Sequence, residues 1–249
     1  KECLLESIKC HHNEIKEYFQ TNYRNEINDS DIDILKQSIK SYNCIGLSEK
    51  FIKRSDVFYY LCKYDHVELV QLIIENNKID INWQRKKQRF KKDGFEKMFT
   101  NYQKHNIEKK CKDSKTPLIA AIENRNKEII EILLKQKTID INVKYESSYN
   151  FYSDGEKTDY LGEESKSILF LAAEKDYAEI VQILINRNDI NVNEISEIYG
   201  PIGQSYAYMT KKLTALHIAV ENENFESIKV LLSAININAN CIEYDAIPL

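Results

Sequence analysis

Four stretches of this chain carry the same phrase: a short helical run, a Glu followed by aliphatic residues, then Asp or Asn two residues before a closing Asn. They are 56–82, 116–142, 167–193 and 214–240, each 27 residues long with no internal gap. Self-similarity on this scale constrains the fold strongly. One supersecondary unit that cannot cover its own apolar face must stack on the next. It also moves the expected function from chemistry towards binding.

Within each copy the apolar spacing is helical rather than alternating. In 116–142, Leu118, Ala121 and Ile122 share one face, and Ile129, Ile130, Leu133 and Leu134 share another. The polar break Glu123-Asn124-Arg125-Asn126 has room only for a tight helix–helix turn. Each copy is therefore read as two antiparallel helices, the first short with small residues, the second longer and aliphatic.

The wording of the copies resembles the ankyrin repeat. Thr116-Pro117-Leu118 matches that family's Thr-Pro-Leu opening, and Thr214-Ala215-Leu216-His217 matches Thr-Pro-Leu-His with Ala for Pro. Ala172-Ala173 and Ala219-Val220 fill the Ala-Ala positions, Glu179-Ile180-Val181 and Glu68-Leu69-Val70 match Glu-Ile-Val, and Asp140-Ile141-Asn142 matches the closing Asp-Val-Asn. The resemblance implies a helix-turn-helix solenoid used for protein interaction. It also implies that His217 bonds the opening turn through Thr214. The pattern departs from the family in two places. The Gly between the two helices is replaced by Asp65, Arg125, Asp176 and Glu223, and a left-handed backbone there would cost about 1 kcal/mol each. Each copy also has one extra residue before the closing Asn, such as Ile139, so a reshaped turn and less regular stacking are expected.

The copies open at 56, 116, 167 and 214, giving intervals of 60, 51 and 47 residues, against a family period of about 33. The excess lies in 83–115, 143–166 and 194–213. Asp93-Gly94, Asp154-Gly155 and Gly200-Pro201 each divide an aromatic-rich segment, a hairpin signal. The inserts are read as three lengthened β-hairpin fingers, with flexible loops as the alternative. The expected class is all-α: an ankyrin-like helix-turn-helix solenoid with projecting hairpins. Residues 1–55 read as a divergent helical cap, a worn repeat plus two helices, and 56–249 as the repeats with their fingers. Ile247 stands 33 residues after Thr214, and 247–249 reads as the opening of a further repeat. An apolar face at the C-terminal end of the last full pair, open to self-association, follows from that reading.

The net charge of −4 does not point to nucleic acid as a whole, and no run of 18 apolar residues exists to span a membrane. The cysteines at 3, 10, 44, 62, 111 and 241 have no framework spacing and read as reduced, in an intracellular, cytoplasmic protein. Cys10, His11 and His12 diverge around a helix, so they cannot face one metal ion. Cys62 and His66 occupy packing positions of the repeat. No catalytic constellation, cofactor loop or metal set is read from the chain.

Charge is strongly uneven along the sequence. Residues 83–115 hold 12 Lys/Arg against 4 Asp/Glu, a net of +8, so the remainder carries −12. Trp83, Phe90, Phe95, Phe99 and Tyr102 interleave there with Arg85, Lys86 and Arg89. That mixture fits an acidic protein surface, nucleic acid, or a solubilised loop packed on itself. The other fingers are Tyr-rich: Tyr145, Tyr149, Tyr152 and Tyr160, then Tyr199, Tyr206 and Tyr208. Such rings serve interfaces or hairpin packing. Exposed ends of the first helices complete the expected surface: Lys63, Tyr64, Glu123, Asn124, Glu174, Lys175, Glu221 and Asn222. The expected function is a non-catalytic scaffold that binds a protein across concave helix faces and fingers. The alternatives are nucleic-acid binding through 83–115 and a regulatory arm of a larger enzyme or channel.

Overall fold

The computed structural model describes residues 2–22, 32–43, 53–76, 79–91, 107–153, 156–201, 208–239 and 243–246. The helices are α1 Glu2–Lys9, α2 Asn13–Asn22, α3 Ile32–Lys40, α4 Ser55–Lys63, α5 Val67–Asn76, α6 Pro117–Glu123, α7 Lys127–Leu134, α8 Ile168–Glu174, α9 Ala178–Ile185, α10 Ala215–Glu221 and α11 Phe225–Leu232. The strands are β1 Arg85–Lys91, β2 Ile107–Lys115, β3 Lys144–Ser153, β4 Glu156–Ser167, β5 Ser196–Pro201, β6 Tyr208–Leu213 and β7 Glu243–Ala246. The chain divides into two compact units, Lys1–Trp83 with Asn126–Ile139, and Gln84–Arg125 with Asp140–Leu249.

The first unit is helical. There α1 packs on α2 and α3, α3 on α4, α4 on α5, and α5 on α7. Leu4, Ile8 and Ile34 form one buried cluster, with Leu5 against it. Val57 to Cys62 of α4 are all buried, as are Val70 and Ile73 of α5 and Ile129, Ile130, Leu133 and Leu134 of α7. Each such aliphatic side chain contributes about 1.5–3 kcal/mol by leaving water. In the second unit α6 packs on α8, α8 on α9 and α10, and α9 and α10 on α11.

One turn chemistry recurs between paired helices. Asp65, Arg125, Asp176 and Glu223 all have a left-handed backbone, with φ of 62°, 58°, 53° and 58°. His11 and Tyr42, at 58° and 57°, hold the same conformation after α1 and α3. The next residue closes the turn with its N–H: His12 to Ser7 O, Asn43 to Ser38 O, His66 to Leu61 O, Tyr177 to Ala172 O and Asn224 to Ala219 O, at 2.9–3.1 Å. This 6→1 bond satisfies a carbonyl that a helix end would leave open.

The same residue then reaches back to the preceding pair. Asn43 donates to Ile8 O at 3.2 Å, and His66 Nε2 lies 2.6 Å from Ile39 O. Asn126 donates to Cys62 O at 2.7 Å, and Asn224 to Ala173 O at 2.7 Å. Every acceptor stands three positions before its own left-handed residue. In the third repeat Tyr177 takes this place, and the Arg125 guanidinium lies over its ring at 5.2 Å.

The turns after the second helices are equally periodic. The Ile139 and Ile190 N–H groups donate to Gln136 O and Arg187 O. Asn82, Asn142 and Asn193 each close a side-chain turn onto Asp80, Asp140 and Asn191 at 2.9–3.1 Å. The extra residue thus lies in a turn that repeats between these copies.

All seven strands form one antiparallel sheet in chain order, β1 to β7, within the second unit. The chain is therefore not all-α. The expected fingers exist as β1–β2, β3–β4 and β5–β6, but they are joined edge to edge. Asp113 pairs with Ser147 across β2–β3, and Glu164 with Ile198 across β4–β5. Ser153 pairs with Glu156, bracketing Asp154-Gly155. Gly200 and Pro201, expected as a turn, are instead the last residues of β5, opposite Met209 and Tyr208. A proline is tolerated at a strand end, where its missing N–H breaks no ladder. Asp93-Gly94 and 247–249 lie outside the described residues. Among those described, no helix is long and apolar enough to cross a membrane.

The last pair ends on apolar side chains. Val220 is 55% exposed, whereas its counterparts Cys62, Ile122 and Ala173 are at 0%. Phe225, Leu232 and Ile235 are exposed on the same stretch.

Candidate interaction surface

Strand pleating sends alternate residues to opposite faces, and the two faces of this sheet have different chemistry. One face turns to the first helices of the second unit. There the second strand of each hairpin carries, at or near its end, a lysine that meets the last residue of the helix it leads into. Lys115 Nζ is 2.6 Å from Glu123, Lys166 Nζ 2.8 Å from Glu174, and Lys211 Nζ 3.3 Å from Glu221. The helices are launched locally by Thr116 and Ser167, whose hydroxyls accept the Ile119 and Phe170 N–H groups. Thr214 Oγ1 lies 2.7 Å from His217 Nδ1, and His217 Nε2 lies 3.2 Å from Ala239 O. With Nε2–H donating to Ala239 O, Nδ1 is the acceptor for Thr214.

This inner face is a continuous polar network. Arg85 pairs with the buried Asp113 at 3.1 Å. Lys115 Nζ also sits 4.9 Å over the Tyr145 ring. Burial raises the Tyr145 pKa above its usual value, aided by the nearby carboxylates of Glu123, Glu164 and Asp113 and opposed by a Ser147 hydrogen bond. Burial disfavours the Lys166 ammonium, but the Glu174 hydrogen bond and the charges of Glu164 and Glu174 more than offset this, and its pKa is raised.

The opposite face is open. A shallow trough of about 930 Å³ lies along the strands, lined from this face by Lys86, Glu146, Glu163, Glu197, Tyr199 and the neighbouring Ser and Thr residues, and also by Asp113, Ser147 and Glu164 of the inner network. Glu146, Glu163 and Glu197 are exposed and have no ion-pair partner among the described residues. They follow the cross-strand register: Ser114 faces Glu146, Glu146 faces Ser165, Ser165 faces Glu197, and Glu163 faces Tyr199.

The structure distributes the expected contact residues unevenly. Lys86 is exposed on β1, and Tyr199 is half-buried on β5. Arg85 and Tyr145 belong to the inner network. Trp83 belongs instead to the helical unit, where its ring meets Tyr59 at 6.2 Å between centroids. Glu123, Glu174 and Glu221 are engaged by lysines, Glu221 while still exposed. Asn124 caps its own helix through Ala120 O at 2.7 Å, while Lys175 stays exposed. In the first unit Lys63 Nζ lies 5.5 Å over the Tyr64 ring, which stacks on Tyr60. Arg89 and Phe90 lie on β1, Tyr149 and Tyr152 on β3, Tyr160 on β4 and Tyr208 on β6. Phe95, Phe99, Tyr102 and Tyr206 fall outside the described residues.

The lysine partners were missed by sequence reasoning, although a signal exists. Lys115 and Lys166 each stand directly before the helix-capping Thr116 and Ser167, with a Glu eight residues on. The outer carboxylates had no such local signature, because their grouping depends on strand register.

Compared with known protein families, the chain matches the one described as ankyrin repeats (3 copies), over residues 25–145, 90–194 and 149–241. Among curated proteins none matches.

Proposed function

As the chain belongs to the ankyrin-repeat family, we propose that it is a non-catalytic scaffold that holds a protein partner on its sheet. The observation that carries this reading is the outer sheet face, which is broad, polar and lined by carboxylates with no ion-pair partner among the described residues. The inner ion pairs support it. They tie each hairpin to the helix that follows, so the face is pre-organised and little order need be gained on binding. Among the described residues, Lys86, Asn124 and Lys175 are expected positions that lie exposed. We read residues 1–55 as worn repeats that complete the helical unit, since His11 and Tyr42 keep the left-handed turn and Asn43 keeps the backward bond to Ile8.

Cross-linking mass spectrometry with the 249-residue chain as bait tests the reading. The expected result is a reproducible protein partner whose links map to sheet residues such as Lys86 and Lys212. The triple variant Glu146→Lys, Glu163→Lys, Glu197→Lys should reduce its recovery without changing the thermal melt. Recovery that vanishes with nuclease treatment, or links confined to other surfaces, would refute the sheet as the docking element.

A further inference from the structure

The sheet has one edge whose chemistry is distinctive. Its strand order begins at β1, which pairs only with β2 among the described residues. Nothing earlier in the sequence is an insert comparable to 83–115, 143–166 or 194–213. Such an edge presents a row of main-chain N–H and C=O groups, a template for a further strand. The sequence of β1 is Arg-Lys-Lys-Gln-Arg-Phe-Lys, five cations in seven residues, of which Arg85 is already paired with Asp113. Its neighbour β2 adds Lys109, Lys110 and Lys112. Like charge repels a second copy of the same edge, and opposite charge admits an acidic strand.

We propose that β1 is a docking edge, to which an extended Asp/Glu-rich segment of a protein partner adds as an eighth strand. The inference rests on the protein-binding reading above and names the chemistry of the partner. Main-chain pairing supplies affinity, and the cations supply selection. A polypeptide fits better than nucleic acid for three reasons. Only a peptide backbone complements the row of edge groups. Trp83, the one tryptophan of the basic segment, is half-buried and engaged edge-on by Tyr59. The outer face of the same sheet carries Glu146, Glu163 and Glu197 beyond Lys86 of the edge strand, and these carboxylates repel phosphates. Basic edge and acidic face together polarise the sheet, which sets the orientation of whatever docks.

Fluorescence anisotropy with the full chain decides the matter, using a short labelled peptide that alternates Glu with Val and Thr. At low salt this peptide should bind. The same peptide with alternate backbone amides methylated should bind at least about tenfold more weakly, because its charge is kept but its main-chain donors are lost. Lys86→Gln with Arg89→Gln should weaken the unmodified peptide by a similar factor. The harsher Lys86→Glu with Arg89→Glu should abolish binding while circular dichroism remains that of the parent. Equal binding of the methylated peptide would overturn strand addition. So would tighter binding of a single-stranded DNA oligomer, or no peptide binding at low salt. If the peptides fail while the cross-linked partner still maps to the sheet, the edge is rejected and the scaffold reading stands. Absence of any such partner rejects the scaffold reading itself.

Discussion

Cys62 and Lys166 show how one side chain reports its surroundings. Cys62 sits at the repeat's second Ala position, and burial raises its thiol well above the usual value. Cys3 and Cys10 are exposed. Thiolate is the reactive form, so alkylation of the native protein followed by peptide mapping should label Cys3 and Cys10 and spare Cys62 until denaturant is added. Rapid native labelling of Cys62 would show that α4 is not held as described. Lys166 gives a pH prediction. Its folded pKa lies above 10.5, and that of Tyr145 lies above 10.0. The folded state therefore binds these protons more tightly than the unfolded chain, and stability falls as pH rises wherever that holds. The contribution is complete below the unfolded values and is lost as pH climbs through the folded ones. Urea unfolding at a series of alkaline pH values should show the decline, and Lys166→Met should make it shallower. The same substitution should also cost about 1–3 kcal/mol near neutrality, by leaving Glu164 and Glu174 short of a donor. An unchanged alkaline limb would mean that Lys166 is not the responsible group.

At the scale of elements, the helices were legible because their apolar residues recur at helical spacing. The left-handed turns were legible chiefly through the family's Gly position, since Asp65 and Asp176 suit positive φ but Arg125 and Glu223 give no local sign of it. His11 and Tyr42 were less legible: His is enriched at positive φ without being diagnostic of it, and a tyrosine ring gives no sign of it. A pair of substitutions separates backbone strain from side-chain use. Glu223 has no recorded side-chain bond among the described residues, so Glu223→Gly should relieve strain and stabilise by about 0.5–1 kcal/mol. Asp176 accepts the Ser227 N–H at 3.1 Å, so Asp176→Gly forfeits a hydrogen bond and should gain nothing or lose stability. Chemical denaturation of both variants checks the contrast. Equal gains would show that the Asp176 bond contributes nothing.

At the scale of the whole chain, each hairpin could be read locally, but their union into one sheet could not. Pairing of β2 with β3, or β4 with β5, joins segments that are neighbours only after the helices have stacked. The reason they meet is metrical. Stacked helices lie about 8–10 Å apart, and two strands occupy about 9.6 Å. One hairpin per repeat therefore matches the spacing of the first helices within the second unit, and flanking strands fall into hydrogen-bonding range. The same logic bears on the end of the stack. Val220 is exposed where Cys62, Ile122 and Ala173 are covered, and Leu232 is exposed beside it. An apolar face shaped like an internal repeat surface attracts another apolar face. The isolated 249-residue chain should therefore show concentration-dependent association by light scattering, and Val220→Glu with Leu232→Glu should return it to monomer. A parent chain that stays monomeric across the concentration range would mean that these side chains are covered by the chain itself in solution, and that the exposed face described here is closed.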